Sequence, residues 1–305
     1  MFDQENTVFV FPGQGSQKVG MAKDFYETEV GKKLFDKADE VLGRNISSIM
    51  FEGSQEELNQ TNNAQLALFI AGFVACEVIK ANEGKQITDL AKYVAGHSLG
   101  EYTALAQAGV FSFEDGLKLV DKRAKAMFEA TQSASGSMAA ILNLDIAKVN
   151  EVAEKTNTVV ANNNTIGQIV ISGEKENIVK ACGLAKEMGA KRAIELPVSG
   201  AFHSPLMQSA ADVMAQHIDA LDMNDATIPV VMNVSGQAVT DVATIKENMK
   251  KQITGSVKWL ESMTFMQDNG IETVAEFGAG NVLCGLFKKF NKELSLNNFT
   301  TTEKL

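Results

Sequence analysis

The chain has 305 residues, enough for one large domain or for one domain with a smaller unit attached. Its composition, 45% hydrophobic and 22% charged, is that of an ordinary globular protein. The formal net charge of -10 argues against nucleic-acid binding, so any acidic partner would have to meet a local basic patch.

The spacing of the cysteines and the length of the apolar stretches indicate the cellular compartment and whether a metal is bound. The cysteines, Cys76, Cys182 and Cys284, lie far apart in no metal-binding spacing, which predicts reduced thiols and no metal site. The polar N-terminus, 1–7, is unlike a signal peptide. The longest apolar stretch, Ala64 to Ile79, is shorter than a bilayer requires. We therefore expect a cytoplasmic protein that has no contact with a membrane.

Strands and helices alternate in the first part of the chain, 1–132. A buried strand at Thr7 to Phe11 is predicted to end in a turn-rich loop at Pro12 to Gln17. The remaining predictions here are helices at Gly20 to Leu42 and Ala64 to Ala81, a strand at Tyr93 to Ala95, a helix at Leu99 to Ala108, and a helix from a capping box at Ser112 to Asp115 to about Gln132.

The segment 133–197 has a different order of elements. Strands are predicted at Met138 to Leu144, Thr158 to Ala161, Gln168 to Ser172 and Ala193 to Leu196, with helices at Ile146 to Thr156 and Asn177 to Met188. This β-α-β-β-α-β order is ferredoxin-like. We expect a small inserted subdomain that packs on the parent domain.

The last part, 198–305, returns to alternation. The predictions are helices at Pro205 to Leu221, Val242 to Gln252 and Val257 to Gln267, strands at Val230 to Asn233 and Ile271 to Phe277, and a helix from about Asn281. The stretches 1–132 and 198–305 are therefore expected to form one catalytic body. The predicted fold class is α/β: an α/β-hydrolase-like body with a mostly parallel sheet, plus the inserted ferredoxin-like subdomain.

The run from Gly96 to Gly100 has the form G-x-S-x-G between a predicted strand and a predicted helix. Such a turn exposes the hydroxyl of its serine, Ser98, and places the amide of Leu99 at a helix N-terminus, where it stabilises an oxyanion. Ser98 is therefore a candidate nucleophile. The alternative is a tight turn whose serine only caps the helix.

A nucleophilic serine needs a general base, and the chain has three histidines. His97 adjoins Ser98, and neighbouring side chains diverge at such a turn. His217 lies in the middle of a predicted helix. His203 lies in a loop between a strand and a helix, where catalytic groups of α/β proteins collect, so elimination favours His203 as the base.

Two other uses of these motifs fit less well. An α/β-hydrolase places an acidic residue between the serine and a late histidine, whereas His203 precedes about 100 further residues. The loop at Gly13 to Gly15 has Lys18 where a dinucleotide fingerprint needs its third glycine. An amide of this loop that faces Ser98 would instead be a second oxyanion donor.

Six motifs in order resemble the malonyl-CoA:acyl carrier protein transacylase family over nearly the whole chain. They are Phe11 to Gln17, Gly96 to Tyr102, Gly136 to Ala140, Gln168 to Gly173, Phe202 to Ser204 and Glu276 to Gly278. The family fold is an α/β body with a ferredoxin-like subdomain, as expected above. The resemblance implies transfer of malonyl from malonyl-CoA to the phosphopantetheine thiol of acyl carrier protein through a malonyl-Ser98 ester.

The resemblance also implies residue roles. Ser98 is the nucleophile, His203 is the base and then the acid, and the backbone amides of Gln14 and Leu99 form the oxyanion hole. Arg123 matches the arginine that pairs with the malonyl carboxylate, for which a planar fork suits two hydrogen bonds.

The remaining implied binding residues are Gln14, Gln252 and Phe202. Gln252 matches a glutamine near the histidine, and Phe202 matches the bulky residue of malonyl-selective members. The family orients its histidine with neutral groups rather than with a carboxylate.

The resemblance further implies malonyl-CoA as substrate, no permanently bound cofactor, and a monomeric enzyme of fatty acid synthesis. Carrier proteins are acidic, so a basic patch should receive one. The candidates are Lys191, Arg192, Lys288 and Lys289.

Three other hypotheses compete with this interpretation. A serine hydrolase or thioesterase would use water as the acceptor, and a non-enzymatic carrier-binding module would keep a vestigial serine. An acyltransferase of a polyketide or polyunsaturated-acid pathway would use identical chemistry.

Overall fold

Two β-sheets organise the chain, and the computed structural model describes residues 2–133, 135–198 and 200–304. The strands are β1 Thr7–Phe11, β2 Tyr93–Gly96, β3 Gly136–Leu142, β4 Val159–Thr165, β5 Gln168–Glu174, β6 Arg192–Glu195, β7 Val230–Val231, β8 Ala238–Val239, β9 Thr273–Phe277 and β10 Ser295–Phe299. The helices are α1 Glu29–Leu42, α2 Ile46–Glu52, α3 Gln55–Asn59, α4 Thr61–Glu83, α5 Leu99–Gln107, α6 Phe113–Ser133, α7 Ile146–Thr156, α8 Lys175–Glu187, α9 Gln208–Ala220, α10 Val242–Gln252, α11 Trp259–Asp268 and α12 Val282–Phe290.

The larger sheet has the order β10-β9-β1-β2-β7-β8, and all its pairings are parallel except that of β7 with β8. Strand β1 is buried on both faces. Phe9 and Phe11 pack into one hydrophobic cluster, whereas Val8 and Val10 pack into a second cluster with Trp259. This two-sided burial confirms the predicted α/β body, because a parallel sheet must be covered on both faces.

Helix α4 packs against the larger sheet, and 17 of its 23 residues are buried. By length and composition alone, its 23 residues are long and apolar enough to cross a bilayer. The prediction that the apolar stretch in this segment is too short to cross one is therefore wrong. However, 83% of its most apolar window is buried inside the structure. That burial is typical of the central helix of a packed domain.

The smaller sheet is antiparallel, with the order β4-β5-β3-β6. Helices α7 and α8 share a hydrophobic cluster with it. Order and connectivity match the predicted ferredoxin-like unit. Its boundaries, 133–197, stay a prediction, and position 134 lies outside the described residues.

The predicted elements differ from the observed ones where the segments are short. The helix expected from Gly20 begins only at Glu29, because Gly20 and Ala22 adopt positive φ and Thr28 caps α1 by accepting from the amide of Gly31. The prediction also missed the short elements α2, α3, β8 and β10.

Candidate active site

Ser98 lies between β2 and α5 with φ 51° and ψ -107°, a strained conformation for a residue with a side chain. The two flanking glycines make this turn possible. A Cβ at Gly96 would lie 1.9 Å from the carbonyl carbon of Gly100, and a Cβ at Gly100 would lie 1.9 Å from the carbonyl oxygen of Phe11. The side chain of Ser98 makes no capping hydrogen bond to α5, so the capping alternative fails.

His203 is the histidine that the structure brings to Ser98. Its Nε2 lies 2.8 Å from the Ser98 Oγ, across 105 residues of chain. Its Nδ1 lies 2.9 Å from the carbonyl oxygen of Gln252 and 3.1 Å from that of Gly255. Because carbonyl oxygens only accept, we assign the proton to Nδ1, which leaves the lone pair of Nε2 facing the serine hydroxyl.

The environment of His203 keeps it neutral. Burial, and secondarily the charge of Arg123, lower its pKa to about 4. At neutral pH the ring is therefore ready to accept a proton. The other histidines do not contact the Ser98 hydroxyl. His97 lines the same cavity, but its Nε2 lies 2.8 Å from the Oδ1 of Asn164, and His217 lines a separate cavity beside α6.

Arg123 projects from α6 toward the same serine and is 1% exposed. One terminal nitrogen, Nη2, lies 3.2 Å from the Ser98 Oγ and 3.1 Å from the Gln252 Oε1. The other, Nη1, donates to the Oε1 of Gln65 at 2.5 Å. Burial lowers the pKa of Arg123, but Tyr102 and Glu101 act in the opposite direction, and an arginine remains charged.

A buried polar network that sequence reasoning missed surrounds these groups. Glu101 accepts from the backbone amide of Asn233 at 2.5 Å and from the Nε2 of Gln252 at 2.9 Å. The side chain of Asn233 accepts from the Ser98 amide at 2.7 Å and donates to the Gly96 carbonyl oxygen at 2.7 Å. Burial raises the pKa of Glu101 to about 7, against the lowering effect of these donors and of Arg123.

An open cavity of about 560 Å³ gives access to Ser98. Gln14, Leu99 and Phe202 line it, whereas Gln252 is fully buried behind Ser98. Further lining residues are Gly15, Gln17, Gln55, Asn59, His97, Met127, Met138, Asn162, Leu196, Pro197 and Val198. Arg123 is the one lysine or arginine among the described lining residues, and none of these is a carboxylate. In the described part of the chain, no cluster of His, Cys, Asp or Glu is suited to hold a metal ion.

The four candidate basic residues come from two distant parts of the chain but share one end of the smaller sheet. Lys289, near the end of α12, donates to the side chain of Gln168 at 2.8 Å. Gln168 and Arg192 both pair with Leu142, from opposite sides of β3. Two strand spacings of roughly 5 Å each therefore separate their backbones, and all four basic residues are exposed.

Comparison with known proteins agrees with this geometry. Residues 8–292 match the family described as "Acyl transferase domain". The chain is 46% identical over 292 residues to the malonyl CoA-acyl carrier protein transacylase of Bacillus subtilis (strain 168), covering 94% of this chain and 90% of that protein.

Solved structures are similar over nearly the full length. The acyl-carrier-protein-S-malonyltransferase of Bartonella henselae superposes with a TM-score of 0.94 at 39% identity, covering 98% of this chain and 96% of that one. A malonyl-transacylase in complex with its type II PKS acyl carrier protein superposes with a TM-score of 0.93 at 35% identity, covering 98% and 97%.

Proposed function

The chain belongs to the acyl transferase family and is an acyltransferase of the malonyl-CoA:acyl carrier protein transacylase type, and from this premise we propose how it works. It transfers malonyl from malonyl-CoA to the phosphopantetheine thiol of an acyl carrier protein through an ester on Ser98. The observation that best supports this proposal is the 2.8 Å contact between Ser98 and His203, with Arg123 beside it.

In the first half of the reaction, the Oγ of Ser98 attacks the thioester carbonyl of malonyl-CoA while the Nε2 of His203 takes the hydroxyl proton. The backbone amides of Gln14 and Leu99 stabilise the oxyanion, since both residues line the cavity at the serine. The carbon–sulfur bond then breaks, and the proton on His203 passes to the leaving thiolate of coenzyme A. The products are malonyl-Ser98 and free coenzyme A.

The second half reverses these steps with a new thiol. His203 takes the proton of the phosphopantetheine thiol, the thiolate attacks the malonyl ester, and the proton returns to the Ser98 Oγ as the ester bond breaks. Water must not compete with the thiol. Apolar side chains such as Met127, Met138 and Phe202 limit its access to the ester.

Arg123 provides the selectivity for malonyl. Its guanidinium is buried beside the acylated oxygen, and no described carboxylate lines the cavity to neutralise it. A substrate carboxylate would complete this charge pair with hydrogen bonds in the plane of the guanidinium. Phe202, 7% exposed at the same cavity, opposes substituents on the α-carbon of the acyl group.

The acyl carrier protein docks at the basic patch formed by Lys191, Arg192, Lys288 and Lys289. An acidic partner meets there a local positive surface on a chain whose net charge is -10. The malonylated carrier supplies fatty acid chain elongation. A polyketide carrier is the second candidate acceptor, because a structural relative is a malonyl-transacylase in complex with a type II PKS carrier.

We also propose where the enzyme acts and in what form. It acts as a cytoplasmic monomer. It needs no permanently bound cofactor, because the steps above use only side chains, backbone amides and the two thiols. It needs neither a membrane nor a nucleic acid.

Intact-protein mass after incubation with malonyl-CoA tests the function directly. We expect a malonyl adduct on the wild-type protein and none on Ser98→Ala, discharged quickly by holo carrier protein and slowly by water. Rapid release of malonate without carrier would identify a hydrolase instead. An unmodified wild-type protein would refute the proposed function.

A further inference from the structure

Glu101 is a buried carboxylate that the reaction steps above do not use. It lies in the first turn of α5, three residues after the nucleophile, and is fully buried. Both of its oxygens are engaged, Oε2 by the Asn233 amide and Oε1 by the Nε2 of Gln252. We propose that Glu101 is a positioning residue that fixes the orientation of the Gln252 amide and, through it, the guanidinium of Arg123.

The hydrogen bonds of Gln252 fix the orientation of its side-chain amide. Its Nε2 has two protons, and both find acceptors: the Ser98 carbonyl oxygen at 2.8 Å and the Glu101 Oε1 at 2.9 Å. The Oε1 of Gln252 is then left to accept from the Nη2 of Arg123 at 3.1 Å. The orientation of one amide therefore decides whether Arg123 meets an acceptor or a donor.

The two orientations of a side-chain amide have nearly the same shape, so the hydrogen-bond partners around it determine which one is stable. A flipped Gln252 would place its oxygen against two acceptors and its NH₂ group against the guanidinium. Glu101 supplies one of these two acceptors. At pH 8, above its pKa of about 7, it is a carboxylate and has no donor with which to accommodate the flip. An unpaired buried donor or acceptor is costly, so the flip is strongly disfavoured.

Replacement of Glu101 by glutamine reverses this preference without changing the size of the side chain. The Asn233 amide can only donate, so the new Gln side chain must turn its oxygen toward Asn233 and its NH₂ toward Gln252. The Nε2 of Gln252 then meets a donor, or the amide flips and presents its NH₂ to Arg123. Either outcome disturbs the position of the guanidinium while Ser98 and His203 stay in contact.

This inference rests on the proposed function, because its measured signature is selectivity for malonyl over acetyl. Acylation of Ser98 is followed by intact mass with malonyl-CoA and with acetyl-CoA, which lacks the carboxylate. We expect Glu101→Gln to reduce the malonyl rate by about tenfold or more and the acetyl rate by less than about threefold. A general structural loss would lower both rates equally.

Glu276 provides a matched control. It is also a buried carboxylate that accepts two backbone amides, those of Leu283 and Cys284, but these belong to α12, away from Arg123. Glu276→Gln is expected to leave the malonyl-to-acetyl ratio at the wild-type value. A change in this ratio as large as that of Glu101→Gln would overturn the proposal.

A double variant tests the route through Gln252. If Glu101 acts through that amide, Glu101→Gln adds no further loss of selectivity in a Gln252→Leu background. Should Glu101→Gln fail to fold, Glu101→Asp takes its place, since it keeps a carboxylate but shortens its reach to Gln252. An unchanged ratio in a folded Glu101 variant refutes the inference, whereas the absence of any adduct on the wild-type protein refutes the proposed function itself.

Discussion

The two sides of the cavity are built differently. On the side of the body, Ser98, His203, Arg123 and Gln252 are joined by hydrogen bonds of 2.8 to 3.2 Å, and the last three are at most 4% exposed. On the side of the ferredoxin-like unit, the wall consists of Met138, Leu196 and Pro197, with Asn162 as its polar member. The body side therefore fixes the positions of the reacting groups, whereas the side of the ferredoxin-like unit determines the shape of the cavity.

Apolar packing and hydrogen bonds both connect the two sides, and Met138, Ala161 and Val170 belong to the main hydrophobic cluster of the body. Strand β4 meets the body through a backbone bridge from Asn162 to Val257, a hydrogen bond from Asn163 to Glu261 at 3.1 Å, and the contact of Asn164 with His97. This difference predicts that chemistry and selectivity respond to changes on the body side. Partner affinity should instead respond to changes at the basic patch, which combines residues of the ferredoxin-like unit with residues of α12. Four experiments address this division.

Loss of the base should have the largest effect. His203→Ala removes the acceptor of the serine proton, so we expect acylation by malonyl-CoA and by acetyl-CoA to fall by on the order of 10³-fold. His217→Ala is the control, because His217 lines a different cavity. Single-turnover acylation rates give the measurement, and a His203→Ala variant within tenfold of wild type would remove His203 from the chemistry.

Loss of Arg123 should affect the two donors unequally. In Arg123→Ala the malonyl carboxylate has no buried cation to pair with, so we expect about a hundredfold loss with malonyl-CoA and only a few-fold loss with acetyl-CoA. Lys122→Ala controls for charge, since its side chain is exposed on the same helix. Equal losses with both donors would contradict the role of Arg123 as a carboxylate clamp.

Local motifs and the order of elements could be predicted from the sequence, whereas contacts between distant residues could not. Ser98 and His203 belong to local motifs, and the order of the predicted elements indicated the ferredoxin-like unit. The polar network was missed because its bonds join residues more than 130 positions apart, such as Glu101 and Asn233. A glutamate in the first turn of a helix is typical of a solvated surface, and nothing local indicates its full burial.

Short elements were missed for a different reason. The helices α2 and α3 have seven and five residues, too few for an apolar period to stand out. Each is capped by a polar side chain, Asn45 or Ser54, that also fits a loop. The two-residue strand β8 is defined by its pairing with β7 and has no sequence pattern of its own.

Charge reversal at the basic patch should change carrier affinity without changing the chemistry. With Lys191, Arg192, Lys288 and Lys289 replaced by glutamate, we expect the KM for the carrier to rise roughly tenfold and acylation by malonyl-CoA to keep its rate. The rise should shrink at high ionic strength, where surface charges are screened.

The control for this patch reverses four exposed lysines that lie outside it. Glutamate at Lys33, Lys85, Lys118 and Lys122 changes the net charge by the same amount. If both sets raise the KM for the carrier equally, overall charge and not the patch governs docking. An unchanged KM in the first set would place the docking surface elsewhere.

The smallest expected effect is a change in the pKa of His203. It distinguishes the two sides of the cavity, because only changes on the body side should alter this pKa. Because burial and Arg123 hold this pKa near 4, the acylation rate should stay nearly flat from pH 7 to pH 5 and fall as His203 becomes protonated near pH 4. Arg123→Gln removes the secondary cause only. The pH at which the rate falls, called here the acid limb, should therefore rise yet stay below 6.5, the ordinary pKa of histidine. Met138→Leu, a change in the opposite wall, should leave the limb in place, because a neutral side chain there contributes no charge at the ring. Acylation by acetyl-CoA, measured from pH 3.5 to pH 8, avoids titration of the substrate carboxylate. If the rate of the wild-type protein instead fell near pH 6.5, the His203 ring would be solvated. That result would contradict the proposal that the buried body side controls the chemistry.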